Sequence, residues 1–542
     1  MKRKMRYSSL LLLGACVLAA SKVRAESLDE ASARRFLEQA SFGPTIDGVA
    51  QVRQLGKAGW LKQQFGLTTS GYSGFSYVDP NPKVGCPTGA PATCQRDNYS
   101  MFPLQMQFFS NALNGQDQLR QRVAFALSQI LVVSGQQIRQ PYAMANYQDI
   151  FLRNAFGNFR DILREVTLSP AMGNYLNMVN NDKANPAKGT EPNENYAREV
   201  MQLFSIGLWQ LNADGSQKLG SDGKPLPSYD QEVVEGFAHV FTGWTYAPRP
   251  GAVSRWGNPK NFDGSMVPFA AHHDTGSKQL LNGQVLAAGG SAAADLEAAI
   301  DSLFNHPNVG PFIGRQLIQM LVTANPSPAY VARVSAAFNG SGGTPRGDMK
   351  ATITAVLTDP EASGSTQPNR FGKLREPVLA LSGLIRSLGG HSDGVWPLRQ
   401  AGALGEPPFS PPTVFSFFAP DTTLPDDPHD QGPAFGLFSA SSVVAYSGAV
   451  TALLTDKPIA PDTSVAGSTG TSIDLNPWQA LAGDPARLVA EINRVLFPAG
   501  MSASLRQELL TAITGVPANN AALRARTALF LAAMAPEYLV EH

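Results

Sequence analysis

The stretch that decides the fold is Asp117-Gln118-Leu119-Arg120-Gln121-Arg122-Val123-Ala124-Phe125-Ala126-Leu127-Ser128-Gln129-Ile130-Leu131. Leu119, Val123, Leu127, Ile130 and Leu131 form one apolar stripe at helical spacing. Asp117 stands where a carboxylate can cap the first turn.

Working outward, the same period recurs. Asn158 can cap a helix with Phe159, Ile162, Leu163 and Val166 inward, broken at Pro170. Upstream, Leu28 to Phe65 reads as two short helices broken at Gly43-Pro44 and Gly56. Downstream, a helix is expected from about Asn193 to Leu208. Another is opened by a Ser228/Gln231 capping box and ends at Gly243. Further helices fall near 294–304, 309–323, 328–338, 348–357 (capped by Asp348), after Pro377, and near 437–454, 484–496, 502–514 and 519–537. Arg346-Gly347-Asp348 reads as a turn running into that Asp348 cap. The expected class is mainly α: a large multi-helix globular protein with long irregular loops and minor β hairpins. No fixed-period repeat argues for a solenoid.

The expected organisation is a signal peptide (1–25), an N-terminal helical region (26–245) with a Cys-bearing loop (68–98), and an irregular Gly/aromatic-rich segment (246–290). A second helical region (291–455), a Pro/Ser/Gly-rich linker or mobile loop (456–474) and C-terminal helices (475–542) complete it.

The first residues, Met1-Lys2-Arg3-Lys4-Met5-Arg6, are basic, and Tyr7 to Ala20 is uncharged. This is the pattern of a secretory signal. The apolar run would rise only about 21 Å as a helix, against a bilayer core of roughly 30 Å, so no transmembrane segment is expected in the mature chain. Cleavage before Glu26 or before Ser21 both fit. Leu13-Gly14-Ala15-Cys16 leaves lipidation of Cys16 as an alternative. The expected location is therefore exported, periplasmic or extracellular, or lipid-tethered. Charged residues are 16% of the chain and the formal net charge is zero, which argues against a nucleic-acid partner held by phosphate neutralisation. Cys86 and Cys94, eight apart in a polar loop, read as a local disulfide in an oxidising compartment, since no histidine lies near enough to complete a zinc site.

The chain has no G-x-S-x-G elbow, phosphate-binding glycine loop, H-E-x-x-H or C-x-x-C. Several ordered blocks nevertheless resemble one family. They are Ala33-Arg34-Arg35-Phe36-Leu37 with Phe42-Gly43-Pro44-Thr45, Arg120 to Gln129, Pro192-Asn193-Glu194-Asn195-Tyr196-Ala197-Arg198-Glu199, and Phe241-Thr242-Gly243-Trp244. His272-His273-Asp274, His306-Pro307-Asn308-Val309-Gly310, Gly372-Lys373-Leu374-Arg375-Glu376-Pro377 and Ser410-Pro411 follow. Together they resemble the bacterial exported family of unknown function numbered 1800. The resemblance implies a large, exported, helical protein. It also implies a co-exported partner resembling sulfatases or alkaline phosphatases, and it carries no substrate or mechanism. In that family pattern the position of His239 is more commonly arginine, which argues against a role specific to that histidine.

The polar candidates fall in three places. On the helix near Asn193, Glu194, Asn195, Arg198, Glu199 and Gln202 share the face opposite Tyr196, Val200, Leu203 and Phe204. On the next helix, Glu235 and His239 are four apart and can reach one cation. In the loop His272-His273-Asp274, an aspartate can orient a histidine, and at most one of two adjacent histidines is expected to share a site with Asp274. His306 reads as a helix-break residue, and Asn212, Asp214 and Ser216 as turn geometry. Catalytic candidates are therefore His272, His273, Asp274, Glu194 and Arg198. Metal-ligand candidates are Glu194, Glu199, Glu235, His239, His272, His273 and Asp274. No cofactor is identified, and a divalent metal is the one these side chains would suit. The Glu194 face and the His272 loop are expected to meet in one cleft.

Two functional readings stand side by side. One is an exported helical binding or assembly protein acting with another secreted or cell-surface component. The other is a metal-assisted hydrolase with a His/Asp/Glu site.

Overall fold

The structure, a computed structural model, describes residues 28–364, 371–424, 427–455 and 457–542. The expected signal segment and Cys16 lie outside the described residues. Among the described residues the structure is 51% helical, and the short strands pair into five two-stranded sheets. The mainly α expectation holds.

The deciding stretch forms the helix Gln118–Ile130. Leu119, Val123 and Leu127 are fully buried, each contributing about 1.5–3 kcal/mol of apolar burial. Gln118, Arg120, Gln121, Arg122 and Gln129 are buried too, so the helix lies in the interior rather than at a surface. Each polar group then needs a partner inside. Arg120 Nη1 donates to Leu152 O (2.8 Å), Gln121 Nε2 to Ser70 O (2.7 Å) and Gln129 Nε2 to Glu376 Oε2 (2.7 Å). Asp117 does not cap this helix with its side chain. Its carboxylate accepts instead from Ser70 N–H (2.9 Å) and Gln121 Nε2 (3.1 Å), pinning the loop that precedes the cysteines.

Around this helix pack Ile46–Phe65, Pro141–Asn154 and Val309–Leu321. Val309–Leu321 in turn packs on Pro328–Phe338 and Met349–Thr358. Asn158 and Asp348 cap as expected, accepting from Arg160 N–H and Ala351 N–H. The C-terminal helices Pro485–Leu496, Ala503–Thr514 and Ala521–Met534 pack together, and the last touches Ala440–Leu453. One apolar core runs from Ala33 to Leu539 through all of these. The final strand, Val540–Glu541, pairs antiparallel with Lys373–Leu374 in mid-chain.

The irregular stretches are tied down. Cys86 and Cys94 form the expected disulfide, with Cα atoms 5.8 Å apart. Residues 246–290 contribute to two small hairpins, Trp244–Thr245 with Val267–Pro268 and Lys278–Gln279 with Val285–Leu286. Residues 457–474, expected as a linker or mobile loop, are held by Asp393 Oδ2, which accepts from Ser468 Oγ and from the N–H groups of Thr469 and Gly470. No described helix is long and apolar enough to cross a membrane.

Candidate functional site

Two short helices and a hairpin carry most of the polar candidates. The helix expected over Asn193 to Leu208 runs only Asn195–Gln202. Asn193 Oδ1 accepts from Asn195 N–H to form its entry turn, and the Ile206 and Gly207 N–H groups converge on Met201 O to end it. Tyr196 and Phe204 are buried as expected, whereas Leu203 is half-buried. The second helix is Gln231–Val240, capped by Asp230, whose side chain accepts from Val233 N–H (3.1 Å). The expected Ser228 box does not form, because the Ser228 hydroxyl accepts from Asn308 Nδ2 instead.

The loop between residues 176 and 194 is locked to the Trp244–Thr245 strand. Asn180 N–H donates to Trp244 O (2.7 Å), and Thr245 Oγ1 donates to Asn180 Oδ1 (2.6 Å). Asn181 bonds both the N–H and the carbonyl of Asn193, and Lys183 N–H donates to His272 O. A long polar loop is thus made rigid by side-chain amides.

On this frame the polar side chains join in a ridge. Arg198 Nη2 donates to Glu194 Oε2 (2.6 Å) and to Gln231 Oε1 (2.8 Å). Gln231 Nε2 donates to Glu194 Oε1 and Glu235 Oε1, both at 3.1 Å. One turn beyond Glu235, His239 Nδ1 meets Asp274 Oδ2 at 2.8 Å. Burial opposes ionisation of Asp274, but the Gly276 N–H, His239 and Lys278 together hold its carboxyl below the usual range. Glu199 departs from its neighbours on the exposed face: it is half-buried, and burial raises its carboxyl against the pull of Arg198.

The three-residue loop motif separates. His272 Nδ1 meets Asp182 Oδ2 (2.9 Å), and its ring stacks on Trp256 with centroids 4.0 Å apart and planes 5° from parallel. His273 is buried, with Nδ1 against Thr242 O (3.0 Å) and Nε2 against Asp295 Oδ2 (3.1 Å). Asp295 also pairs with the buried Lys278 at 2.8 Å. Neither histidine of the motif bonds Asp274; His239 does. With one ring nitrogen of His239 and of His272 engaged by a carboxylate, the orientation of each ring is set, and neither Nε2 has a hydrogen-bond partner among the described residues.

Helix Gln231–Val240 links the two groups. Gln231 and His239 are separated by an axial rise of about 12 Å, so Glu194 and Arg198 stand at one end and Asp274 at the other. Among the described residues, no group of three or more His, Cys, Asp or Glu side chains is placed to hold a metal ion. Asp214 Oδ1 accepts from Ser216 N–H and Oγ, which is turn geometry. His306 Nδ1 accepts from Asn308 N–H within the helix break. Asp182, Gln231, Trp256, Lys278 and Asp295 were not among the sequence candidates. Lys278 lies within four residues of the histidine motif, and Gln231 stood in a capping pattern. Nothing in the sequence distinguished Asp182, Trp256 or Asp295.

Two other resembling blocks meet in the interior. Arg122 and Lys373 both donate to Met320 O, and Arg375 pairs with Glu38 at 2.6 Å. Burial and the adjacent Glu376 push Glu406 well above the carboxylate range. Lys373 and Arg122 hold Glu376 below its usual range against the opposing effect of burial. These residues close the core beneath helix Gln118–Ile130.

Fold and site together define a mainly helical protein of continuous core, carrying a preorganised polar ridge and no assembled metal centre among the described residues. The chain belongs to the family described as a protein of unknown function, DUF1800, whose model matches residues 35–540. No curated protein and no solved structure matches it.

Proposed function

We propose that this is an exported binding or assembly protein whose recognition surface is the ridge from Glu194 through Gln231 to Asp274, continued by His272 on Trp256. The observation that carries the reading is the rigidity of partly exposed polar groups. Arg198, Gln231 and Glu235 are already held in one bonded row, and His272 is clamped between a carboxylate and an indole. Groups fixed before contact lose little side-chain entropy on binding, about 0.5–1.5 kcal/mol less for each one. The metal-assisted reading lacks a donor set among the described residues, since the candidate ligands pair off in twos.

The partner that fits the family resemblance is a co-exported protein resembling sulfatases or alkaline phosphatases. Co-expression of both chains with their export signals, followed by sizing of the purified mixture, tests this. A stable complex at micromolar concentration is expected. Migration of the two chains as separate species at every concentration would overturn it.

A further inference from the structure

We infer that a cavity beside helix Ala440–Leu453 binds a single short hydrocarbon chain, independently of the ridge. The cavity, of about 250 Å³, lies between that helix, the turn Pro433–Leu437 and the paired strands Lys373–Leu374 and Val540–Glu541. Leu374, Leu404, Leu437, Met534 and Leu539 supply its wall, together with the ring of Tyr446.

The chemistry of the wall selects the ligand. Its polar members are Arg375, Ser442 and Tyr446, and none presents a polar atom in need of one. Arg375 is 7% exposed, pairs with Glu38 at 2.6 Å and lies over the Tyr538 ring. Ser442 Oγ accepts from Ser439 N–H (2.8 Å) and donates to Leu437 O (2.8 Å). The Tyr446 hydroxyl and Arg375 Nε are sealed behind the wall, with no surface open to the cavity. A polar or charged group brought in here would lose its water and gain no partner, which excludes sugars, nucleotides and free amino acids.

Size and mouth narrow the class further. An apolar cavity of roughly 150 Å³ stays dry and holds one benzene ring. The larger volume here would be left part empty by one inserted side chain of a partner protein, whereas a flexible chain fills it. The opening is apolar as well. Phe435, Phe438 and Val443 line the cavity yet are 37%, 45% and 37% exposed, which places them at its rim, and Val444 next to Val443 is 72% exposed. From Gly432 to Thr455 the sequence has no charged residue, so this side of the mouth offers nothing to an ionic head. Large apolar side chains gathered in this way mark a binding surface. The chain enters, and its head group stays in water.

Calorimetric titration of the full chain with 1-hexanol, 1-octanol and octanoate tests the assignment. Saturable binding is expected, tighter for octanol than for hexanol by about ten-fold or more, the effect of two further buried CH2 groups. Octanoate should bind no tighter than octanol, because its carboxylate meets no free cation. V443W, a change at a partly exposed position that fills the mouth, should weaken octanol about ten-fold or more with the melting temperature unchanged. F438A, also at the rim, should weaken both alcohols and guards against a folding defect in V443W. Sedimentation with phosphatidylcholine vesicles shows whether the chain is carried by a bilayer lipid or by a free amphiphile. No saturable heat from either alcohol, equal affinity for hexanol and octanol, or equal binding by the wild type and V443W would overturn the assignment. Dimerisation of the chain that F438A abolishes, without alcohol binding, would likewise overturn it and give the patch to a protein contact.

Discussion

His306 shows how much one buried side chain decides. Burial, with Lys218 and Arg346 nearby, lowers its pKa from the ordinary histidine value of about 6.5 to about 4. Below pH 6.5 the unfolded chain takes up a proton that the folded chain refuses, so stability is full above about 6.5 and falls as pH drops toward 4. Allowing for partial solvent screening, the loss attributable to this group is about 2–3 kcal/mol. Urea midpoints at pH 7 and pH 4.5 should therefore differ less for H306N than for the wild type, even though H306N is less stable at both. Equal slopes would show that His306 does not titrate as described. At Lys278 the consequence is electrostatic. Asp295 sits between Lys278 and His273 in the interior, and K278M removes one of its two partners. A loss of about 3–5 kcal/mol is expected in chemical denaturation; a change under 1 kcal/mol would show that water reaches Asp295.

Helix Gln231–Val240 carries the site because it lies directly on the second hairpin. A Cβ built on Gly236 would stand 1.8 Å from Gln279 O, so only glycine permits this approach. At the next turn of chain, Gly243 has φ +80° and abuts the His273 backbone, which steers the strand under the histidine loop. G236A should cost about 1–3 kcal/mol or more and displace Glu235 and His239 from their partners. The His239 imidazole resonances would shift in the NMR spectrum of the variant; unchanged resonances would contradict the packing. The sequence made this helix legible through Val233, Val234, Phe237, Val240 and Phe241, all buried. It did not reveal which residue faces the hairpin, because a glycine within a helix carries no periodic signal. The ends of helix Asn195–Gln202 were misread for a related reason. Phe204 and Ile206 continue the apolar pattern after the hydrogen bonding has turned to Met201 O. Asp274 was visible as a carboxylate, but its partner His239, 35 residues earlier, was not.

At the scale of the molecule, apolar periodicity identified most helices, whereas their assembly depends on charges that no period marks. Arg122 lies outside the apolar stripe of helix Gln118–Ile130, where a charge is ordinarily solvated, yet it is fully buried among Lys373, Glu376 and Glu541. The last residues close this network: Glu541 is buried, strand Val540–Glu541 pairs with Lys373–Leu374, and His542 O accepts from Arg35 Nε. Deleting residues 540–542 should thus lower stability by about 3–5 kcal/mol, out of proportion to its length, by leaving Lys373 and Arg122 short of a carboxylate. A denaturation midpoint within error of the full chain would show that the end is not part of the core.

Recognition of a partner by the ridge is tested most directly by the affinity of the purified proposed partner, a protein resembling sulfatases or alkaline phosphatases, for the wild type and for a doubly substituted R198A/Q231A chain. Both substitutions are at partly exposed positions and leave the apolar core intact, so circular dichroism and melting should match. A dissociation constant raised about ten-fold or more is expected, with a comparable loss for H272A. Equal affinity of the wild type and both variants, with folding unchanged, would contradict it.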